Sequence, residues 1–252
     1  MHLFYDDQTD LSVAFNSGNN LLSLSGDEAA HLKVLRMKPG DQIWLTDGLG
    51  HLSKAEIDEI GTRSNIIRLT DVRSFDRPAY YIHIAVAPPK NIARFEWFLE
   101  KATECGIDEI TPLYCEHSER AVLRVDRLNK VIVSAMKQSL KTYIPKLNEP
   151  ESLTKFLNRN THVDNAFIAW LDRDHEQHHL KAVCKLNLPV TVLIGPEGDF
   201  SSAEVELAKD KGYAPVSLGR SRLRTETAAL AACFIANMMN EPDKSGYPIS
   251  IE

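Results

Sequence analysis

The segment that decides the fold is "TVLIGPEGDFSSAEVELAKDKG", residues 191–212. It begins with a short apolar run rich in β-branched side chains, which is typical of a buried strand. A Gly-Pro-Glu-Gly turn follows at 195–198, and Ser201 with Glu204 makes the Ser-x-x-Glu capping box that opens a helix ending at Gly212. A strand, a glycine turn and a capped helix together indicate an α/β domain with a mainly parallel sheet.

The same alternation extends in both directions from this segment. Further strands are predicted in "YYIHIAVAP", "DEITPLYC", "NAFIAWL" and "APVSLG". Helices are predicted in "IARFEWFLEKATECG", which Gly106 should end, in "DRLNKVIVSAMKQSL" and in the C-terminal "TETAALAACFIANMMN". All three tryptophans, Trp44, Trp97 and Trp170, lie in apolar patterns and are expected in the core.

The N-terminal part of the chain has a different pattern. Short β-type segments, "LLSLSG", "DQIWLTDGLG", "HLSKAEIDEIG" and "NIIRLTDV", predict a small β-barrel. One helix interrupts them at "DEAAHLKVLRM", with Asp27 as its expected N-cap. The polar stretch "RSFDRPAYY" is typical of a linker, so the predicted domains are residues 1–74 and 75–252.

Composition restricts the class of protein. No apolar run approaches the roughly 20 residues of a membrane span, and the N-terminus lacks a signal-peptide pattern, so a cytoplasmic location is expected. The four cysteines are scattered without a CxxC pair. The formal net charge of −6 argues against indiscriminate nucleic-acid binding, but residues 73–150 carry 12 basic and 10 acidic side chains. Any polyanion would therefore bind at a limited basic region and not over the whole surface.

The Gly-Pro-Glu-Gly turn lies where open α/β sheets bind ligands, beyond the carboxyl end of a strand. A phosphate loop is a poor fit, because Gly-Lys-Ser/Thr and GxGxxG are absent and Glu197 and Asp199 would repel an anion. A ligand with a cationic or neutral polar part suits these acids better. The alternative is a tight turn with proline at its second position and no ligand.

A second strand and glycine loop lies in "SLGRSRLRTETAALAA", residues 217–232. Its arginines, Arg220, Arg222 and Arg224, either face solvent or meet phosphates, because three cannot be buried unpaired. Glu226 suits an ordinary helix N-terminus. Because fewer than 30 residues separate the two loops, a shared pocket is plausible.

The histidines in "DRDHEQHH", His175, His178 and His179, could hold a metal ion. The charged residues around them favour a solvated loop instead, and we expect no metal.

"LIGPEGDFSSAE" and "VSLGRSRLRTETAALAA" together resemble the two C-terminal motifs of the SPOUT-class RNA methyltransferases of the RsmE type. "HLKVLRMKPGD" and "TDGLG" are similar to that family's PUA-like barrel, and "FEWFLEKATECGIDEITPLYCEHSER" and "MKQS" to its central segments. The resemblance covers the whole chain. It implies a parallel sheet with helices on both faces, knotted as a deep trefoil, after a small PUA-like β-barrel, and it implies a homodimer.

The activity that the resemblance implies is methylation of uridine N3 in 16S ribosomal RNA of the small subunit, with S-adenosylmethionine as cofactor. The implied cofactor residues are Leu193, Ile194, Gly195, Glu197, Gly198, Ser217, Leu218, Gly219, Leu223 and Arg224. Because N3 carries a proton at neutral pH, a base or an anion-stabilising donor should assist. Arg120, Arg224 and Glu226 are the expected catalytic residues.

The target uracil must be exposed before its N3 can be reached, and the barrel is the expected RNA clamp. The candidate RNA-binding residues are Lys33, Arg36, Lys38, Arg120, Lys137 and Lys141. Basic helices are more often solvated faces, which is the alternative.

The chain departs from the family at Asp199, where a glycine is common, and at Arg222, where an aliphatic residue is common. Two alternatives stay open: a SPOUT methyltransferase acting on a 2′-O-ribose or a transfer-RNA base, and a non-catalytic ribosome-binding module.

Overall fold

The computed structural model describes residues 2–62, 64–119, 122–159, 164–170 and 177–241. The chain forms two compact units. The first contains the residues up to Arg77 together with Ile132–Ile144, and the second contains Pro78–Val131 and the residues from Pro145 onward. The local sequence pattern did not place residues 132–144 in the first unit.

The first unit is built on a five-stranded sheet. Its strands are β1 (Leu3–Tyr5), β2 (Leu21–Leu24), β3 (Gln42–Thr46), β4 (His51–Ile60) and β5 (Asn65–Ser74). They lie in the order β1-β3-β4-β5-β2, with β1 parallel to β3 and the other pairs antiparallel. Two register shifts interrupt the β4–β5 pair, and such bulges increase local bending and twist. The four predicted strands of this region are confirmed.

Two helices belong to this unit, α1 (Leu11–Asn16) and α2 (Gly26–Val34). The predicted helix at α2 is confirmed, but its N-cap is Ser25 and the expectation of Asp27 was wrong. Asp27 lies in the first turn, where its negative charge is favourable to the helix dipole. Helix α1 was not predicted. It begins after Asp10, whose carboxylate accepts a hydrogen bond from the backbone N–H of Val13 at 2.9 Å.

The turn between β3 and β4 is fixed by the buried carboxylate of Asp47. It accepts hydrogen bonds from the backbone N–H groups of Leu11 at 3.1 Å and Leu49 at 2.8 Å, and Nδ1 of His51 lies 2.6 Å from it. Asp10, Asp47 and His51 bring possible metal-ligand atoms within 4.8 Å of one another. Because the Asp47 oxygens already accept backbone hydrogens, this cluster is accounted for as a turn-fixing network.

The second unit contains a parallel sheet. Its strands are β6 (Ile82–Val86), β7 (Glu109–Tyr114), β8 (Lys146–Leu147), β9 (Glu151–Ser152), β10 (Ala166–Ala169), β11 (Val190–Ile194) and β12 (Ala214–Val216). The order is β12-β10-β11-β6-β7-β8, with β9 beside β7, and every pair is parallel. All of β11 is buried, as the apolar run predicted. The predicted parallel α/β sheet is confirmed.

The remaining helices are α3 (Ile92–Cys105), α4 (Val125–Gln138), α5 (Leu153–Arg159), α6 (Leu180–Val183), α7 (Ser202–Asp210) and α8 (Thr225–Asn240). All of them belong to the second unit except α4, whose residues from Ile132 onward belong to the first. Helix α3 ends at Gly106, whose φ of 91° is left-handed, and both hydrogen bonds of the Ser201–Glu204 capping box open α7. These predictions are confirmed, whereas α5 and α6 were not predicted. Trp97 on α3 is 41% exposed, so its expected place in the core was wrong.

The strand order reverses direction between β6 and β11. From β6 the chain adds β7 and β8 on one side, and later places β11 directly against β6 on the other. In open parallel sheets, ligands bind outside the carboxyl ends of the strands at such a point. The loops after Val86 and Ile194 therefore meet at the expected binding edge. Threading of the C-terminal segment into a trefoil knot stays a prediction.

In the part of the chain that the structure describes, no helix is both long and apolar enough to cross a membrane.

Candidate active site

The loop after β11 brings the backbone close to two neighbouring side chains. A Cβ added at Gly195 would lie 3.1 Å from the Phe200 ring, and one at Gly198 would lie 3.0 Å from Cβ of His117. Contacts this short require a neighbour to move. The glycines of the Gly-Pro-Glu-Gly turn are therefore needed for close packing within this loop and against His117, which follows β7.

Asp199 follows this turn with a φ of 64°, in the left-handed region that favours glycine. Aspartate is among the few other residues that tolerate this conformation, because its short side chain can bond to nearby backbone. Here Oδ1 of Asp199 accepts a hydrogen bond from the N–H of Phe200 at 2.8 Å. Asp199 thus holds a backbone conformation that favours glycine, the residue expected at this position from the family resemblance.

The loop after β7 is bonded to the loop after β11 and to the first turn of α7. Nδ1 of His117 lies 3.0 Å from the carbonyl oxygen of Asp199, and the N–H of Glu116 donates to Oε1 of Glu204 at 2.8 Å. Glu204 is also the capping-box acid of α7. These bonds hold the two loops side by side at the carboxyl edge of the sheet.

The loop after β6 joins the same edge through Lys90. Its backbone N–H lies 3.3 Å from Oε1 of Glu197, and its ammonium group forms a 2.7 Å ion pair with Glu119. The hydrogen bond with Glu119 raises the pKa of Lys90, although the ammonium group faces water. The loops after β6, β7 and β11 therefore form one continuous rim.

Ser217 and Gly219 shape the loop after β12. Oγ of Ser217 accepts a hydrogen bond from the N–H of Gly219 at 3.1 Å, and Gly219 has a φ of 130°. A Cβ at Gly219 would have no neighbour within 4 Å, so this side of the loop is open. The backbone of Ser217 is bonded to His178 and Leu180, which aligns the preceding segment with β12.

The histidine segment has a local structural role. Nδ1 of His179 accepts a hydrogen bond from the N–H of Lys181 at 3.2 Å and caps α6. This nitrogen is committed to the helix start. His175 lies outside the described residues.

The hydroxyl of Thr225, at the first position of α8, donates a hydrogen bond to the carbonyl oxygen of Gly195 at 3.1 Å. Thr225 is buried. Strands β11 and β12 both flank β10, so their loops emerge about 10 Å apart at the same edge. The two predicted glycine loops are therefore brought together, and the start of α8 is bonded to one of them.

The next residue, Glu226, has a buried carboxylate with only 7% of the residue exposed. Nε of Arg94, in the first turn of α3, lies 3.8 Å from Oε1. Among the described residues, no hydrogen-bond partner reaches Oε2. A buried carboxylate oxygen without a partner is costly, so it marks a position where a ligand could bond. Arg94 was missed in the sequence, because one arginine in an amphipathic helix gives no signal.

Of the two arginines predicted to be catalytic, only Arg224 lies in the described part of the chain. Arg224 is the exposed N-cap residue of α8 and makes no side-chain capping bond. Arg120 lies outside the described residues. Arg220 and Arg222, on the same loop as Arg224, are exposed.

The candidate RNA-binding residues of the first unit divide into two groups. Lys33, Arg36 and Lys38 are exposed at the end of α2, and Nζ of Lys33 donates to the carbonyl oxygen of Thr62 at 2.8 Å. Lys137 is largely buried and pairs with Glu28 at 2.5 Å, so its charge is already compensated.

Lys141 is half-buried in the same unit. RNA binding by all five of these side chains stays a prediction.

Comparison with known proteins gives two family matches. The profile described as "RNA methyltransferase domain" matches residues 76–237. The profile described as "RNA methyltransferase PUA domain" matches residues 24–69. The first covers more than half of the chain, and the second falls within the five-stranded unit.

Individual relatives agree with these matches. The chain is 38% identical to a solved structure described as a probable rRNA-methyltransferase from Porphyromonas gingivalis, with a TM-score of 0.83 and coverage of 95% of this chain and 98% of that one. It is 27% identical to a protein from Legionella pneumophila described as a methyltransferase and solved with bound SAM, with a TM-score of 0.77 and the same coverage. It is 28% identical to the "Ribosomal RNA small subunit methyltransferase E" of Rickettsia conorii, over 85% of this chain and 88% of that protein. Because the first profile matches more than half of the chain, the chain belongs to the RNA methyltransferase family that this profile describes.

Proposed function

We propose that the chain methylates N3 of a specific uridine in 16S ribosomal RNA, with S-adenosylmethionine as methyl donor and the assembled small subunit as substrate. The observation that carries this proposal is the buried Glu226 carboxylate, with one unpartnered oxygen, at the start of α8. The names of two relatives support the substrate class, since both are ribosomal RNA small subunit methyltransferases.

The two glycine loops have the properties that S-adenosylmethionine requires. Gly219 has open space where a Cβ would stand, and Leu218 and Leu223 are half-buried apolar side chains beside it. Glu197 provides negative charge at the opposite loop, which favours a cationic sulfonium. The remaining residues proposed to hold the cofactor are Leu193, Ile194, Gly195, Gly198, Ser217 and Arg224. When bound, the cofactor supplies a methyl group whose bond to sulfur breaks, the electron pair staying on sulfur, as N3 forms its new bond.

The protein must remove the N3 proton and stabilise the charge that its loss leaves on uracil. Glu226 is the proposed acceptor of that proton, since its Oε2 makes no other hydrogen bond among the described residues. Arg224 and Arg120 are the proposed cations beside the ring. A carboxylate placed this way can take a proton more readily from a ring N–H than from a ribose hydroxyl, because the pKa of the hydroxyl is much higher. It therefore favours methylation of a ring nitrogen.

The first unit is proposed to bind the RNA. Residues 1–72 carry 6 basic and 11 acidic side chains, so non-specific attraction to RNA is weak. The exposed Lys33, Arg36 and Lys38 concentrate positive charge at one end of α2. We infer that binding depends on this local patch and on the shape of the ribosomal particle.

A homodimer is proposed through an apolar face of the second unit. Phe234 and Met238 are 50% and 60% exposed and lie one turn apart on α8, and Trp97 lies on α3, which packs against α8. Exposed apolar side chains clustered on packed helices are typical of a protein–protein interface. A second copy is the occupant that the family resemblance implies.

Deleting the gene and analysing small-subunit RNA by nucleoside mass spectrometry tests the function. N3-methyluridine should disappear and return on complementation. Loss of a 2′-O-methyl nucleoside or of a transfer-RNA modification instead would favour another SPOUT target. An unchanged nucleoside profile would favour the non-catalytic ribosome-binding module.

A further inference from the structure

We propose that Arg94 and Glu226 together bind the N3 edge of the target uracil, with Glu226 accepting from N3–H and Arg94 donating to an adjacent carbonyl oxygen. The inference rests on the proposed function. It adds Arg94 as a substrate-binding residue, which neither the glycine loops nor the arginine-rich loop contains.

The geometry of the pair leaves hydrogen-bonding capacity open on both sides. Nε of Arg94 and Oε1 of Glu226 are 3.8 Å apart, which is too long for a hydrogen bond but close enough for charge attraction. The Arg94 side chain is 38% exposed, while that of Glu226 is 8% exposed. The buried Glu226 carboxylate, an acceptor, therefore lies beside the Arg94 guanidinium group, whose N–H donors reach the surface.

The location of the pair agrees with a substrate role. Arg94 is in the first turn of α3, immediately after the loop that follows β6. Glu226 follows Thr225, which is bonded to Gly195 at the end of β11. Strands β6 and β11 are neighbours, so both residues lie at the carboxyl edge where ligands bind.

The edge of uracil has complementary groups. N3–H is a donor, and a carbonyl oxygen lies on each side of it. When the N3 proton leaves, negative charge develops on these oxygens, and a guanidinium group beside one of them would stabilise it. Cytosine has a lone pair at N3, which the Glu226 carboxylate would repel. The pair therefore selects uracil over cytosine as well as assisting proton loss.

A purely structural role is the competing explanation, in which Arg94 only compensates the buried charge of Glu226. It predicts that Arg94 variants lose stability and lose activity equally on all RNA substrates. The substrate role predicts that the loss depends on the carbonyl oxygen beside N3. Replacement of that oxygen by sulfur, a weak acceptor, separates the two.

The experiment compares wild type, Arg94→Ala, Arg94→Lys and Lys101→Ala on small ribosomal subunits reconstituted from RNA transcribed with uridine, 2-thiouridine or 4-thiouridine. Lys101 is a matched control, since it is a cation on the same helix two turns away, paired with Glu100 and Glu104. The readouts are kcat/KM, the melting temperature and calorimetric affinity for S-adenosylmethionine. Comparing each variant with wild type on each RNA cancels the intrinsic reactivity of the thio bases.

On uridine RNA, Arg94→Ala should lower kcat/KM roughly 100- to 1,000-fold. Arg94→Lys should recover part of this loss, and Lys101→Ala should stay within about twofold of wild type. One of the two thio substitutions should lower the kcat/KM of wild type by a factor about ten times larger than the factor by which it lowers the kcat/KM of Arg94→Ala. Affinity for S-adenosylmethionine should be unchanged.

Equal thio effects in wild type and Arg94→Ala would overturn the inference and leave the proposed function standing. So would an Arg94→Ala variant with wild-type kcat/KM. If wild type on uridine RNA forms no N3-methyluridine, the proposed function fails and the inference fails with it.

Discussion

Thr225 donates a hydrogen bond to the carbonyl oxygen of Gly195 at 3.1 Å, and this bond joins the start of α8 to the end of β11. The two residues are 30 positions apart in the chain. Because Glu226 follows Thr225, the bond also fixes the buried carboxylate beside the glycine turn. The arrangement of the site therefore depends on a contact between its two motifs.

Replacing Thr225 with valine should weaken S-adenosylmethionine binding roughly tenfold, because the loss of one buried hydrogen bond costs about 1–2 kcal/mol. Calorimetric titration measures this. Thr225→Ser retains the hydroxyl and should bind the cofactor within about twofold of wild type. Equal affinities in Thr225→Val and wild type would show that the bond does not position the cofactor loops.

Glu226→Gln should lower kcat roughly 100- to 10,000-fold, because the amide has the same shape but cannot accept the N3 proton as a base. Affinity for S-adenosylmethionine should change little. Single-turnover methyl transfer measured against pH would check this. A variant that keeps wild-type kcat would move the proton acceptor to another residue.

Asp199→Gly should keep the unfolding free energy within about 1 kcal/mol of wild type, because glycine adopts a φ of 64° without strain. Asp199→Asn should behave similarly. Asp199→Val should lose roughly 1–2 kcal/mol, since a β-branched residue is strained there. Urea unfolding compares the three, and an Asp199→Val variant as stable as Asp199→Gly would contradict the assigned backbone conformation.

Burial lowers the pKa of His83 from 6.5 to about 4. The nearby Glu109 carboxylate acts in the opposite direction and raises this pKa, whereas the positive charges of Arg159 and Lys146 lower it further. Its ring lies 2.8 Å from Oγ1 of Thr111. Since the unfolded chain binds the proton first, stability should fall as the pH is lowered from 6.5 to 4.

The His83 contribution should be about 3 kcal/mol, which follows from a difference of about 2.5 pKa units. Urea unfolding at pH 7, 6, 5 and 4 should show a shallower decline for His83→Asn than for wild type. Parallel curves for the two proteins would contradict a His83 ring that stays neutral in the folded protein.

Phe234→Glu should convert a dimer to a monomer, because it places a charge in the centre of the proposed apolar interface. Light scattering coupled to size-exclusion chromatography measures the mass. Val13→Glu is the control, since Val13 is 64% exposed on α1 of the other unit and should leave the dimer intact. A wild-type monomer at micromolar concentration would refute the interface.

Local sequence signals predicted the parts of the fold that depend on local chemistry. Gly106 ends α3 and the Ser201–Glu204 capping box opens α7 as expected, because each needs only residues within one turn. The N-cap of α2 was misassigned to Asp27, since both Ser25 and Asp27 are favourable capping types and Ser25 makes no side-chain bond.

Features that depend on distant residues could not be predicted in the same way. Nothing near Arg94 in the sequence indicates that β6 and β11 bring it to Glu226, 132 positions later. Trp97 has core-like neighbours in the sequence but is 41% exposed, because helix periodicity alone does not say which apolar positions of a helix the rest of the fold covers. Resemblance to a family supplied the cofactor and the target, which residue patterns alone left open.

The most direct test of the central claim is product analysis after incubating small ribosomal subunits that lack the modification with the purified protein and methyl-labelled S-adenosylmethionine. Nucleoside mass spectrometry should find the label in N3-methyluridine of 16S RNA with wild type and almost none with Glu226→Gln. Label in a 2′-O-methyl nucleoside, or no label in the RNA, would contradict the account.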